Sequence, residues 1–150
     1  MDVSSNRKER AVVIGASISG LLAARVLANH FAQVIVVERD ILPPAGEPRK
    51  GVPQGRHAHV LLARGRELLE GFFPGLSQEL VDKGAVAGDL SEMSRWFSMG
   101  AYTRNFHSGL QGIQVSRPLL EATIRRRLSM LPNVTLLENH DANQLLTAPR

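Results

Sequence analysis

A chain of 150 residues, 43% hydrophobic and 21% charged, has the composition of one soluble globular domain with enough apolar mass for a core, which excludes a disordered tail. It holds no cysteine, so disulfide staples, thiolate nucleophiles and cysteine-containing zinc sites are excluded, and a reducing, cytoplasmic setting is expected. The formal net charge of +4 rests on 18 basic residues, all arginine except Lys8, Lys50 and Lys83, and by itself points only to some phosphate-bearing partner.

Residues 1–9 are polar and aperiodic and read as a flexible tail. Residues 10–14 form a β-branched run that stops at Gly15, the pattern of a buried strand. From Ile18 to Phe31 the period becomes helical, and Gly20, Ala24 and Ala28 give that helix a face of small side chains on which it can lie close to a sheet. Residues 34–37 are a second apolar run closed by Glu38, so residues 10–38 predict one strand, turn, helix, strand unit. Arg7, Lys8 and Arg10 before residues 11–28 mimic a signal peptide, but Gly15, Ser17, Ser19, Gly20 and Arg25 interrupt the run, and no other stretch is long enough to span a membrane.

Residues 40–56 carry Pro43, Pro44, Gly46, Pro48, Gly51, Pro53 and Gly55, too many breakers for a regular element. A helix is predicted over residues 58–73, stopped by Pro74 and Gly75, with a short one over 76–83. Residues 85–116 are broken and strand-like, with Trp96, Phe97, Tyr102 and Phe106 as expected packing anchors. Pro118 opens a helix capped by Ser116 or Arg117, with Leu120, Ile124, Leu128 and Leu131 on its apolar stripe and residues 125–127 mostly outward. Residues 134–138 are a third strand candidate. The fold class is therefore α/β, a Rossmann-like dinucleotide-binding domain over residues 10–150.

The chemistry centres on Gly15, Ala16, Ser17, Ile18, Ser19 and Gly20, which stand between a predicted strand and a predicted helix, the context in which such a loop carries weight. Gly15 permits the tight turn, Gly20 close helix packing, and the helix N-terminus offers N–H groups to a pyrophosphate. Ser17 departs from the usual glycine, so its Cβ must displace the ligand or turn a hydroxyl toward it. Glu38 is placed to accept hydrogen bonds from both ribose hydroxyls and to repel a 2′-phosphate, which disfavours NADP, although Arg39 softens that objection. Two other readings compete: a βαβ unit whose glycines serve packing alone, and a nucleophile elbow with Ser17 as nucleophile, which lacks its second glycine at Ser19 and has only His140 and Asp141 as loose triad partners.

Four stretches, AVVIGASISG (residues 11–20), VIVVERD (34–40), RKGVPQGRHAHVLL (49–62) and SRPLLEATI (116–124), resemble FAD-dependent monooxygenases of the aromatic-hydroxylase type, most closely the branch with bacterial polyether epoxidases. The resemblance implies that Glu38 and Arg39 hold the adenosine, that Arg117 contacts FAD, and that the stretch from Gln54 through Arg56 and His57 to His59 lies near the flavin. It also implies that a serine-containing glycine loop is ordinary in this family. The reaction implied is reduction of FAD by NAD(P)H, capture of O2 and transfer of one oxygen to a small hydrophobic alkene or aromatic substrate, chemistry that the cofactor carries, so no catalytic acid or base is assigned.

For Arg117 the alternative is a helix-start residue with its charge in water. Arg49, Lys50 and Arg56 either face the phosphates or form a solvated loop. His57 and His59 pack near the flavin or cap the following helix, and with no third ligand nearby they predict no metal site. Relatives of this type are much longer and carry a further FAD-contacting stretch, so the chain is expected to be the N-terminal portion of a longer monooxygenase fold or to need a complementing chain. An NAD-dependent dehydrogenase domain and a non-catalytic nucleotide-binding or interaction module are the competing classes. Nucleic acid is disfavoured because the arginines are scattered and not interleaved with aromatics.

Overall fold

The computed structural model of the chain describes residues 8–44, 47–49, 52–57 and 59–146, in two compact units: Met1–Pro44 with Ile124–Arg150, and Ala45–Thr123. Residues 1–7, Lys50 and Ala58 lie outside the described residues.

The first unit is built on β1 (Lys8–Ile14), α1 (Ile18–Leu27), β2 (Phe31–Val37) and β8 (Val134–Leu137), the strands forming one parallel sheet in the order β1-β2-β8. β1, α1 and β2 are the expected βαβ unit, since parallel neighbours require a crossover and α1 supplies it. β1 starts two residues earlier than the apolar run suggests, because Lys8 already pairs with Phe31 and its Nζ stands 5.8 Å from that ring's centroid. α1 ends earlier than expected and Phe31 belongs to β2: the N–H groups of Asn29 and His30 turn back onto Val26 and Leu27, and Asn133 Nδ2 donates to Ala28 O and Phe31 O at 2.8 and 3.0 Å. Leu21, Ala24 and Ala28 of the α1 segment are buried, as are Val13, Val34 and Val36 of the sheet, so the small-residue face lies where the sequence put it.

The second unit holds a 3₁₀ turn (Pro53–Arg56), β3 (Val60–Leu61), α2 (Ala63–Phe72), α3 (Leu76–Asp82), β4 (Val86–Asp89), α4 (Leu90–Met93), β5 (Phe97–Ser98), β6 (Ala101–Tyr102) and β7 (Gln111–Gln114). β3, β7 and β4 make an antiparallel sheet with β7 central, and β5 and β6 make a hairpin. Its buried apolar residues include Leu69, Phe73, Leu76, Leu80, Ile113, Val115 and Leu120. α2 starts later than predicted because Val60 and Leu61 pair with Gln114 and Ile113, an apolar pair too short to betray a strand by period.

The four aromatics expected as anchors are not in the core: Trp96, Phe97, Tyr102 and Phe106 are 70%, 65%, 66% and 62% exposed. They sit on and beside the β5–β6 hairpin, whose strands are too short to bury a face. α5 (Arg117–Ser129) is capped by Ser116, whose Oγ accepts from Leu119 N–H at 3.3 Å, and its Leu120, Ile124 and Leu128 are buried as predicted, with Leu131 only half-buried past its end. Arg125 is not outward: its Nη2 donates to Pro43 O at 2.5 Å.

Asn133 closes the turn between α1 and β2 with two bonds that no other side chain there duplicates among the described residues. Asn133→Ala is therefore expected to lower stability by about 1–3 kcal/mol, measured by urea unfolding.

Candidate functional site

The register of the parallel sheet makes the first site. Ile14 lies opposite Val37, and the ladder continues one step past both strands, Gly15 N–H donating to Val37 O and Glu38 N–H to Leu137 O, each at 2.8 Å. Gly15 and Glu38 are thus brought side by side at the carboxyl ends of β1 and β2. Gly15 has φ +93°, a conformation that an L side chain resists, and it turns the chain sharply toward α1.

Glu38 is buried, with its Oε2 accepting Ala16 N–H at 2.7 Å and its Oε1 accepting Asp40 N–H at 3.0 Å. The loop after β2 is clamped in turn, Leu42 N–H donating to Glu138 Oε2 at 2.9 Å and Asn139 N–H to Asp40 O at 3.3 Å. Ser17 occupies the N-cap of α1 in extended backbone, yet its hydroxyl makes no capping bond. The opening N–H groups of the helix, at Ile18, Ser19 and Gly20, precede the first intrahelical bond, Leu21 N–H to Ser17 O, and have no side-chain cap among the described residues, the kind of helix start that favours an anion. A Cβ on Gly20 would stand 1.9 Å from Gly15 O, so helix and turn cross with no room for a side chain. Arg39 stands beside this site with an exposed side chain, 4.0 Å from Asp40 Oδ1.

The remaining candidates lie in the second unit. Arg117, the first residue of α5, is mostly buried and donates from Nε to Glu121 Oε1 at 2.7 Å, one helical turn on. Arg49 Nη1 lies 4.0 Å from the other oxygen of Glu121, with its side chain 7% exposed. The solvated readings of Arg117 and Arg49 thus give way to a buried cluster of two guanidiniums on one carboxylate. Glu121 was not singled out in the sequence, although its i, i+4 spacing from Arg117 was the available signal. Gln54 and Arg56 lie in the 3₁₀ turn, Arg56 and His57 are exposed, and His59 Nδ1 is 2.8 Å from His57 O; the Gln54 side chain lies outside the described residues.

A second buried carboxylate in that unit, Asp89, also escaped notice. It caps α4 through Ser91 N–H at 2.9 Å and accepts Ser108 N–H, Ser108 Oγ–H and Gly109 N–H at 2.9, 2.8 and 2.7 Å, with His107 Nδ1 at 3.4 Å. Burial alone would raise its pKa, but the bonds from Ser108, Ser91 and Gly109 outweigh that and hold it at about 2.

No protein-family model matches the chain. Protein Rv3254 of Mycobacterium tuberculosis is 40% identical over 151 residues, covering 97% of this chain and 30% of the relative. The 2,6-dihydroxypyridine 3-monooxygenase of Paenarthrobacter nicotinovorans is 40% identical over 81 residues, 54% of this chain and 20% of that one. Among solved structures, 2-methyl-3-hydroxypyridine-5-carboxylic acid oxygenase superposes with a TM-score of 0.62 at 22% identity, over 88% of this chain and 32% of that chain. Pseudomonas aeruginosa PqsL, a probable FAD-dependent monooxygenase, gives 0.62 at 20% identity, over 89% and 33%. The fold is that of the FAD-dependent aromatic-type monooxygenases. Within that fold the chain spans 30% of the first relative's length and about a third of each solved chain.

Gly20→Ala is expected to cost more than about 2 kcal/mol, read as a lowered melting temperature, because the Cβ meets backbone and not a flexible side chain. Asp89 makes a pH prediction of definite sign. Its folded pKa of about 2 lies below the ordinary 3.8, so its stabilisation is complete above pH ~4 and drains away as pH falls toward 2. Acid titration of unfolding should show that loss in the wild type and a flatter profile in Asp89→Asn.

Proposed function

We propose that this chain is the FAD-binding portion of a flavoprotein monooxygenase, and the observation that carries the reading is the buried Glu38 carboxylate beside a Gly15 turn and an uncapped helix start. The open N–H groups of Ile18, Ser19 and Gly20 hold the pyrophosphate, with the Ser17 hydroxyl, uncommitted to capping, turned to the same anion. The Glu38 carboxylate, held by the N–H groups of Ala16 and Asp40, is the acceptor proposed for the ribose hydroxyls. Arg39 is the further cofactor contact proposed in the first unit; in the second, the family resemblance proposes FAD contacts for Gln54, Arg56, His57 and Arg117, the last held by Glu121.

When bound, FAD supplies the redox chemistry: reduction by NAD(P)H and insertion of one oxygen from O2 into an alkene or aromatic substrate, epoxidation being the narrower form. No acid or base of this chain is assigned a catalytic role. A dehydrogenase would continue strand and helix alternation after Glu38, whereas here a breaker-rich loop leads into the antiparallel β3-β7-β4 sheet, which supports the oxygenase reading.

Titration of the purified chain with FAD, followed by flavin fluorescence, is expected to saturate. Glu38→Ala should weaken binding by at least about tenfold, and Glu38→Gln by less, with NAD as the control ligand. Binding of NAD alone, or FAD binding indifferent to both substitutions in folded protein, overturns the reading.

A further inference from the structure

The second unit carries a cavity of about 410 Å³ that the cofactor reading does not use. Its wall is apolar, made by Val60, Leu62, Leu90, Trp96 and Phe106, and one cation, Arg104, stands in it. Leu62, Trp96 and Phe106 are more than half exposed, which leaves a large apolar surface in water.

The wall is built before any ligand arrives. Thr103 N–H donates to Trp96 O at 2.8 Å and Trp96 N–H to Thr103 Oγ1 at 3.3 Å, so the two residues flanking the β5–β6 hairpin are tied together. Inside that tie, Phe97 and Tyr102 meet edge to face with centroids 5.1 Å apart. Asn105 Nδ2 donates to Glu92 O at 2.7 Å, anchoring the segment between Arg104 and Phe106 to α4.

Arg49 and Arg117 share Glu121 and Arg64 is paired with Glu67, whereas Arg104, like Arg56, Arg66 and Arg95, has no hydrogen-bond or ion-pair partner among the described residues; what sets Arg104 apart from those three is its place in the cavity lining. Among the described residues no carboxylate lines the cavity with it, and the other polar members are the hydroxyl-bearing Ser91, Ser94 and Thr103. An apolar cavity with one uncompensated guanidinium and few hydroxyls selects a ligand with an apolar body and a single anionic end.

We infer that this cavity binds a flat, apolar carboxylate the size of a fused two-ring acid, its ring between Trp96 and Phe106 and its carboxylate on Arg104. The aromatic faces favour a planar body, and the volume falls within the range that encloses such a molecule, roughly 300–1,000 Å³ for ligand sites in general. The inference rests on the cavity alone and stands or falls separately from FAD binding.

Trp96 is the chain's one tryptophan, so its indole N–H gives a single proton–nitrogen correlation signal that reports this wall and nothing else. The ¹⁵N-labelled chain, without FAD, is titrated with 2-naphthoate and with the neutral 2-naphthalenemethanol. Naphthoate is expected to shift the signal saturably and to bind about fivefold tighter than the alcohol, a difference that Arg104→Gln abolishes while the rest of the spectrum stays in place. Phe106→Ala should weaken both compounds alike. Equal affinity for acid and alcohol, an unchanged acid preference in Arg104→Gln, or no shift at the solubility limit overturns the inference. So does a signal that moves with protein concentration alone, which would mark the surface as a contact between two copies. A failed FAD titration on the same sample would leave these outcomes untouched.

Discussion

The first unit depends on one hydrogen bond, from Ala16 N–H to the buried carboxylate of Glu38 at 2.7 Å. It joins the turn after the first strand to the end of the second, and it exists because the parallel register sets Gly15 opposite Glu38. The sheet therefore fixes the acid, the acid fixes the turn, and the turn aims α1. A buried carboxylate without donors would be costly, and here the opened backbone of the turn and of Asp40 provides them. In the proposed reading, structural support and ribose recognition fall on the same side chain, already held in place by Ala16 and Asp40.

The second unit solves the same problem twice with different donors. Asp89 is satisfied by backbone N–H groups and a serine hydroxyl, and so pins the segment around Ser108 and Gly109 to the end of β4. Glu121 is satisfied by guanidiniums, which makes it a mutual arrangement: the acid fixes Arg117 and Arg49, and they remove the penalty of burying it. Backbone donors make a rigid knot, whereas guanidiniums retain further N–H groups that can turn to a ligand.

The first unit was largely legible. β-Branched runs, a glycine turn and small residues at helical spacing gave β1, α1, β2 and β8 in type and order, though not in their ends, since local pattern and tertiary role agree there. The errors at Lys8 and Phe31 are ends of elements, decided by pairing and by Asn133, which sits far along the chain. The second unit was less legible because its strands are two to four residues long and leave no period to read. Aromatic content misled for a related reason: Trp96 and Phe106 look like core residues by type, and only the three-dimensional wall shows them facing an open cavity. Of the candidate site, the glycine loop and Glu38 were legible, while Glu121 and Asp89 were hidden in helical and turn contexts that make acids look like solvated surface.

The absent side chain at residue 20 bears on which sequences the turn admits. Its space is taken by the carbonyl oxygen of Gly15, a neighbour within the protein itself and not a bound molecule. Any sequence that keeps this crossing of turn and helix is held to glycine there, with or without a ligand. Glycine at residue 20 therefore reports the crossing of turn and helix, whatever binds beside it.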